Sequence, residues 1–536
     1  MPSQIPDPLS NKYAAQKQSF IVALAVPDVS QIDPFQLERA TYGADVVELR
    51  VDHLSPNGLI PTVAPTTEFT ISQVRLLRDI TKLPTLYTIR TVSQGGRFPD
   101  NDTENARKLM LAAIELGIEY IDVEVTWPDK LVSEIANNKM DAKLVASFHS
   151  WTGKLPWTPD ALKEHYERAL QFGDVVKLSI LNTKDTDNYE QFLFIRHHQE
   201  TSKVPILAVG MGQQGQLSRV LSPISIVTHP RLPVPTAPGQ ISIKNINTVQ
   251  QLIGKIQPKK FFIFGNTISH SLSPIIHNAA FEELGLPHHY SIHQTPHIDD
   301  TVKEILQSPD FGGASVTYPH KLKIQSLVDS ISGIATTIGA VNTVVVKQSP
   351  GDPNKRVLVG DNTDWIGIRT CIERGGIKAH PRDNAALVIG AGGAARAAIF
   401  ALQHLGYRHI VLVNRTKERA ILTASRYPGL EFSIYRSVED VQNEFDCIIA
   451  CVPADDITES DIPHKIFSKR GVIVEMAYRP KVTSLMKVGQ RLDSWSVFSG
   501  VDVLKGQAYG QFELWTGYRA PLLAISEALA KHESKE

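Results

Sequence analysis

Eight short runs rich in β-branched and apolar residues, each followed by a longer amphipathic segment, fill the chain from Phe20 to about Pro230. They are FIVALA (20–25), VVELRVD (46–52), TLYTIR (85–90), YIDVEV (120–125), KLVASFH (143–149), VVKLSIL (175–181), PILAVGM (205–211) and, more weakly, PISIVTH (223–229). Apolar strands alternating with amphipathic helices demand a parallel sheet covered by its own crossovers, and eight such units in about 220 residues predict a (β/α)8 barrel. Active sites in that fold sit at the C-terminal strand ends, which draws attention to Glu48, Arg50, Arg90, Glu124, His149 and Lys177. Lys177 interrupts an otherwise buried strand. An ammonium is costly to remove from water unless it is paired or gives up its proton, and the second escape creates a nucleophile. The plainer alternative is a lysine snorkelling from an edge strand.

With 536 residues the chain is too long for one core. A Pro-rich stretch, LPVPTAPGQ, and a helical segment ending in a basic turn place a boundary near residue 256. A second α/β pattern begins at KFFIFGNTISHSLSP and a third at ALVIGAGGAARA. The third opens with an apolar strand, a glycine turn and a helix start of the form GxGxxA. Gly390 permits the turn, Gly392 lets backbone approach a pyrophosphate alongside Gly393 and Ala394, and Ala395 allows close helix packing. The next strand ends in Asn414-Arg415-Thr416 and not in the acid that would hold an NAD ribose, so NADP is the expected cofactor. In SHSLSP, Ser271 and Ser273 either bind a carboxylate or merely cap a helix. Lys321, Asn342 and Asp364 fall near strand or loop ends; a Lys–Asp pair beside a nicotinamide can relay an alcohol proton, and elsewhere would be a surface ion pair.

Fifty-five basic and 56 acidic side chains leave a net charge of -1, which offers no footprint for nucleic acid or an acidic membrane. Small-molecule substrates are the expected partners, with a homodimer as the one assembly envisaged. Cys371, Cys447 and Cys451 make no disulfide framework, and the x3-spaced pair lacks further zinc ligands, so no metal is expected. No run reaches the roughly 18 apolar residues of a membrane span, and MPSQIPDPLSNKYAAQKQ resembles neither a signal nor a transit peptide, which makes a cytoplasmic location the default.

Residues 259–536 resemble shikimate dehydrogenases throughout: SxSP, VTxPxK, AVNT, DNTD, GAGGAARA and NRT occur in that family's order. The resemblance implies that Lys321 and Asp364 are the catalytic pair. Ser271 and Ser273 would hold the substrate carboxylate, and Thr317, Asn342 and Gln507 the ring hydroxyls, with Tyr478 in the matching MAYRP turn. Two departures stand out: Ser315 replaces an asparagine common in the family, and ACVPAD replaces its Asn-Ala-Thr-type turn.

Residues 18–245 are similar to type I 3-dehydroquinate dehydratases, through VVELRVDHL, TIRTVSQGGRFP, YIDVEV, SFHSW, VVKLSIL, MGQQGQLSR and TAPGQ. That resemblance implies a Schiff base between Lys177 and the ketone of 3-dehydroquinate, formed by the neutral amine that a low-dielectric barrel favours. His149 would be the general base. Glu48, Arg50 and Arg90 would contact or order the substrate, Arg219 would clamp its carboxylate, and Gln240 would cover it from a loop. Gln94 stands where the bacterial pattern has a glutamate orienting the histidine, and Thr236 stands for a serine. A glutamine carbonyl can accept a hydrogen bond from imidazole but cannot stabilise imidazolium with a full charge.

The expected architecture is therefore α/β: an N-terminal TIM barrel, then a two-lobed shikimate dehydrogenase-like module with a Rossmann NADP-binding domain. Expected boundaries are a tail (1–17), the barrel (18–245), a linker (246–258), a substrate lobe (259–364), a Rossmann lobe (365–499) and a C-terminal segment (500–536) returning to the substrate lobe. SQGG, VTHPRLP, GGASVT and CVPAD look like the C-terminal part of the fungal pentafunctional arom polypeptide. The expected activity is dehydration of 3-dehydroquinate to 3-dehydroshikimate, then reduction to shikimate with NADPH. Two alternatives keep the modules and change the role: a quinate-pathway regulator, or a quinate-preferring dehydrogenase.

Overall fold

The computed structural model describes residues 7–11, 17–58, 64–233, 235–349, 351–377 and 385–534. It divides into two compact units, one holding the chain up to Gln257 and the other most of the chain from Pro258 onward.

The first unit is built on β1 (Ser19–Leu24), β2 (Val46–Arg50), β3 (Thr85–Thr88), β4 (Tyr120–Glu124), β5 (Lys143–Ser150), β6 (Val175–Leu181), β7 (Ile206–Met211) and β8 (Ile224–Val227). Each expected strand appears, with ends shifted by at most two residues. All pairings are parallel, β8 returns to β1, and β7 packs on β8 to leave a nearly closed barrel. Helices cover the outside and side chains fill the inside, so the strands are buried on both faces and read as apolar runs without alternation.

Two stretches depart from the sequence-based expectation. The supposed N-terminal tail supplies Leu9, fully buried in the barrel core beside Ile21, Leu86 and Val145. Ser19 Oγ donates to Pro8 O at 2.6 Å, and Asp7 bonds Tyr120 and Lys143. The supposed linker contains helix Ile243–Leu252, which buries Ile243 and Ile246 and sends Gln250 Nε2 to Val220 O at 2.9 Å. In both, apolar residues at the right spacing find barrel surface that the sequence alone does not reveal.

The second unit has two sheets. In the first, β9 (Lys260–Gly265), β10 (His289–Gln294), β11 (Phe311–Val316), β12 (Ser330–Ile331), β13 (Thr343–Ser349) and β14 (Asp352–Asp361) run in the order β10-β9-β11-β13-β14-β12, with β13 antiparallel to both neighbours. In the second, β15 (Ala385–Ile389), β16 (His409–Val413), β17 (Glu431–Tyr435), β18 (Phe445–Ala450), β19 (Phe467–Glu475) and β20 (Trp495–Phe498) are all parallel, ordered β17-β16-β15-β18-β19-β20. That order is doubly wound, with the switch between β15 and β18.

Helix Gly500–Thr516 follows the second sheet and packs back on the first, where Trp515 Nε1 donates to Val344 O at 2.9 Å. It also lies against helix Asp364–Arg374. The approach is close because both contact positions are glycine: a Cβ on Gly506 would come within 2.7 Å of Gly367 Cα. This contact sets Gln507 beside Asp364.

Candidate active sites

In a (β/α)8 barrel the inward side chains of alternate strands share a layer. Glu48 on β2, Asp122 on β4 and Lys177 on β6 are such a set. Lys177 Nζ lies 3.0 Å from Glu48 Oε1 and 2.9 Å from Asp122 Oδ2, and all three side chains are almost completely buried. The sequence placed this amine in a low-dielectric interior; the structure adds two buried carboxylates within hydrogen-bond reach of its nitrogen. Asp122 escaped the sequence reading, although Asp122 and Glu124, two apart in one strand, must share a face.

Around this core, Arg90 reaches Asp122 at 2.7 Å and Glu124 at 2.9 Å, and Arg50 forks onto Asp52 at 2.8 and 2.7 Å. Glu124 accepts from Thr91 and is absent from the cavity wall; the other five residues picked out at strand ends line it. The cavity measures about 440 Å³. Thr236 and Gln240 enter its wall from the segment after β8, linked by Gln240 Nε2 to Thr236 Oγ1 at 2.8 Å.

His149 also lines the cavity. Burial, with the charges of Arg90, Lys177 and Arg50, holds its imidazole well below the ordinary histidine range. Gln94 does not accept from the ring as the sequence suggested: its Oε1 takes the backbone N–H of His149 at 2.7 Å. Among the described residues Nδ1 has no partner. One lone pair of the Gln94 carbonyl is thus spent on the strand backbone.

Arg219 is the exception to the charge pairing. It is 2% exposed, Nη1 donates to Ile226 O at 2.8 Å, and Nε and Nη2 have no hydrogen-bond partner among the described residues. With no carboxylate beside it among the described residues, burial pushes the guanidinium down to about 10. A buried cation with two idle donor groups on a cavity wall is complementary to an anion that can accept from both.

The second cavity, about 670 Å³, lies at the C-terminal ends of β9 and β11. All eight substrate-side residues expected there line it: Ser271, Ser273, Thr317, Lys321, Asn342, Asp364, Tyr478 and Gln507. Lys321 Nζ is 2.5 Å from Asp364 Oδ2. Asn342 Nδ2 donates to Asp364 Oδ1 at 2.8 Å and approaches Gln507 Oε1 at 3.3 Å. Ser273 Oγ is buried, with the Tyr290 hydroxyl as its neighbour. Gln511, also on the wall, was not anticipated; four residues after Gln507, it lies on the same helix face.

The residues of the glycine turn suit a dinucleotide. Gly390 has φ +115°, and a Cβ there would meet Cys451 O at 2.9 Å. A Cβ on Gly392 would meet nothing within 4 Å, so the N-terminus of helix Gly393–His404, with Ala394 in its first turn, opens onto free space. At the end of β16, Asn414 Nδ2 donates to Thr416 O, and Arg415 is exposed with one ion pair, to Asp456 at 3.0 Å. Among the described residues no helix is long and apolar enough to cross a membrane.

Comparison with known proteins agrees with this division. The type I 3-dehydroquinase family matches residues 20–257, the shikimate dehydrogenase substrate binding domain 263–344, and the shikimate/quinate 5-dehydrogenase family 377–478. A pentafunctional AROM polypeptide from Malassezia globosa is 40% identical over 524 residues, covering 95% of this chain and 32% of its own length. One from Mycosarcoma maydis is 36% identical over 566 residues, covering 98% and 33%. The chain thus spans about a third of the length of these relatives. The solved dehydroquinate dehydratase and shikimate dehydrogenase from S. pombe AroM is 36% identical, covers 97% of this chain and 99% of its own, and superposes with a TM-score of 0.83. The chain belongs to the family in which a type I 3-dehydroquinase is fused to a shikimate dehydrogenase.

Proposed function

We propose that the chain dehydrates 3-dehydroquinate and then reduces the resulting 3-dehydroshikimate to shikimate with NADPH. The observation that carries this reading is the unpaired, buried Arg219 in the same cavity as Lys177, which gives one pocket both a carboxylate clamp and an amine.

With the substrate carboxylate on Arg219, Lys177 faces the ketone. Its ammonium first passes a proton to the site, where Glu48 and Asp122 are the carboxylates in reach. The free amine adds to the carbonyl, water leaves, and an iminium forms that can take up the electrons of an adjacent C–H bond. His149, kept neutral, removes that proton and returns one to the departing hydroxyl. Hydrolysis of the imine frees Lys177 and the enone product.

In the second module, Ser271 and Ser273 hold the carboxylate, and Thr317, Asn342, Tyr478 and Gln507 contact the ring. The glycine turn at Gly390, Gly392 and Gly393 would receive the pyrophosphate, and Asn414, Arg415 and Thr416 the 2′-phosphate. NADPH, when bound, supplies the hydride. Lys321 donates a proton to the alkoxide oxygen, and Asp364 holds the ammonium in place. We assign residues 259–364 to the substrate lobe, 365–499 to the cofactor lobe and 500–536 to a return segment. Three free cysteines and a reduced nicotinamide suit a cytoplasmic setting.

The test is to mix the protein with 3-dehydroquinate and NADPH while following enone absorbance and NADPH loss. Oxidation of NADPH that depends on 3-dehydroquinate and yields shikimate is expected, with quinate and NAD as poorer partners. Lys177→Ala should abolish dehydration and leave reduction of supplied 3-dehydroshikimate intact. Dehydration surviving in that variant would refute the Schiff base.

A further inference from the structure

The wall of the second cavity contains a hydrogen-bonded chain whose direction is forced, and Gln511 is its centre. The side chain is completely buried. One end of its amide lies 3.3 Å from Asn342 O and 3.0 Å from Thr343 Oγ1. A backbone carbonyl can only accept, so the amide atom facing it is Nε2. The other end must then be Oε1, which also can only accept, and it lies 2.8 Å from Ser315 Oγ. Ser315 therefore donates to Gln511. Having one proton, it cannot also donate to Tyr290, whose hydroxyl is 2.6 Å away and must donate to it.

This leaves Ser315 Oγ with one free lone pair and no free proton. Ser315 lines the cavity, so what it offers a ligand there is an acceptor. The chain continues in the other direction: Thr343 Oγ1, taking the proton from Gln511, gives its own to Asn342 Oδ1 at 2.6 Å, and Asn342 Nδ2 donates to Asp364. With Gln511 replaced by an apolar residue, the Ser315 hydroxyl would be free to rotate and to present either a proton or a lone pair.

The geometry points to Gln511 as a specificity-determining residue that sets the hydrogen-bond polarity of the substrate cavity, so that Ser315 selects a ligand hydroxyl, a donor, at its position. Gln511 is a positioning residue, acting through Ser315 and Asn342. The inference rests on the reading of this cavity as a polyhydroxylated carboxylate site and adds which chemistry its wall admits.

The experiment is calorimetric titration of the full chain with shikimate, with analogues lacking one ring hydroxyl at a time, and with the matching fluoro analogues, which accept weakly and cannot donate. For the unmodified chain one deoxy analogue binds about tenfold more weakly because Ser315 loses its donor, and its fluoro counterpart binds no better. In Gln511→Leu, shikimate itself weakens about tenfold, while discrimination against that one analogue falls below about threefold. Ser315→Ala flattens the same preference and serves if Gln511→Leu does not fold; NADP titration and the dehydration rate report folding in each. A folded Gln511→Leu that rejects the analogue as the parent does, or a fluoro analogue that binds the parent like the hydroxyl, overturns the inference alone. Failure of the unmodified chain to bind any of these carboxylates would overturn it together with the functional reading.

Discussion

Replacing Arg219 with methionine should weaken the dehydratase while making the barrel more stable, a pairing of opposite signs that few substitutions produce. Among the described residues the side chain makes one hydrogen bond, to Ile226 O, and keeps Nε and Nη2 idle. Each charge-assisted hydrogen bond to a substrate carboxylate is worth about 1.5–3 kcal/mol. Two bonds that share one guanidinium add incompletely, so we take about 3–4 kcal/mol, or roughly 100- to 1,000-fold. The carboxylate is remote from the reacting carbonyl, so the loss falls mainly on KM for 3-dehydroquinate and much less on kcat. Burial pushes the guanidinium from its ordinary range down to about 10, which corresponds to about 3 kcal/mol of unfavourable burial in the free protein. Methionine of similar length removes that cost and leaves Ile226 O without its donor, a loss of about 1–2 kcal/mol. The net expectation is a barrel more stable by about 1–2 kcal/mol. Initial rates across substrate concentration and urea unfolding of the barrel check both halves. A KM within threefold of the parent would refute the assignment of Arg219 as the carboxylate clamp.

Because the His149 imidazole is held well below the usual histidine range, the base stays neutral into acid. The acid limb of dehydratase kcat/KM should therefore fall below about pH 6.5, and a pH profile with that limb at or above the ordinary histidine value would contradict the structure. Arg415→Ser should raise KM for NADPH about tenfold or more with little effect on that for NADH, and should barely change stability because its one ion pair is exposed; steady-state kinetics with both cofactors decide this. Gly506→Ala should push helix Gly500–Thr516 away from Gly367 and displace Gln507 from Asp364. Dehydrogenase kcat/KM should drop by about tenfold or more with dehydration unchanged, both read in parallel assays of one preparation.

Much of this protein is determined by local pattern. Strand and helix periods are local, so alternating apolar runs were enough to specify the barrel, and the glycine turn before an apolar helix was enough to mark the Rossmann lobe. Residues whose chemistry conflicts with their surroundings also stood out in one dimension: Lys177 in a buried strand, and Ser271 and Ser273 before a proline. What the tertiary structure decided was pairing. Lys177 has two carboxylates within reach because Glu48 and Asp122, 129 and 55 residues away, come from alternate strands of one layer. Gln94 bonds the backbone of His149 instead of its ring, and Leu9 is core instead of tail. Gln511 is separated from Ser315 by 196 residues, and its role exists only because helix Gly500–Thr516 packs back on the first sheet of its unit. Electrostatic and hydrogen-bond energies depend on distances between residues remote in sequence, and those distances are set only when the sheets close and the helices pack.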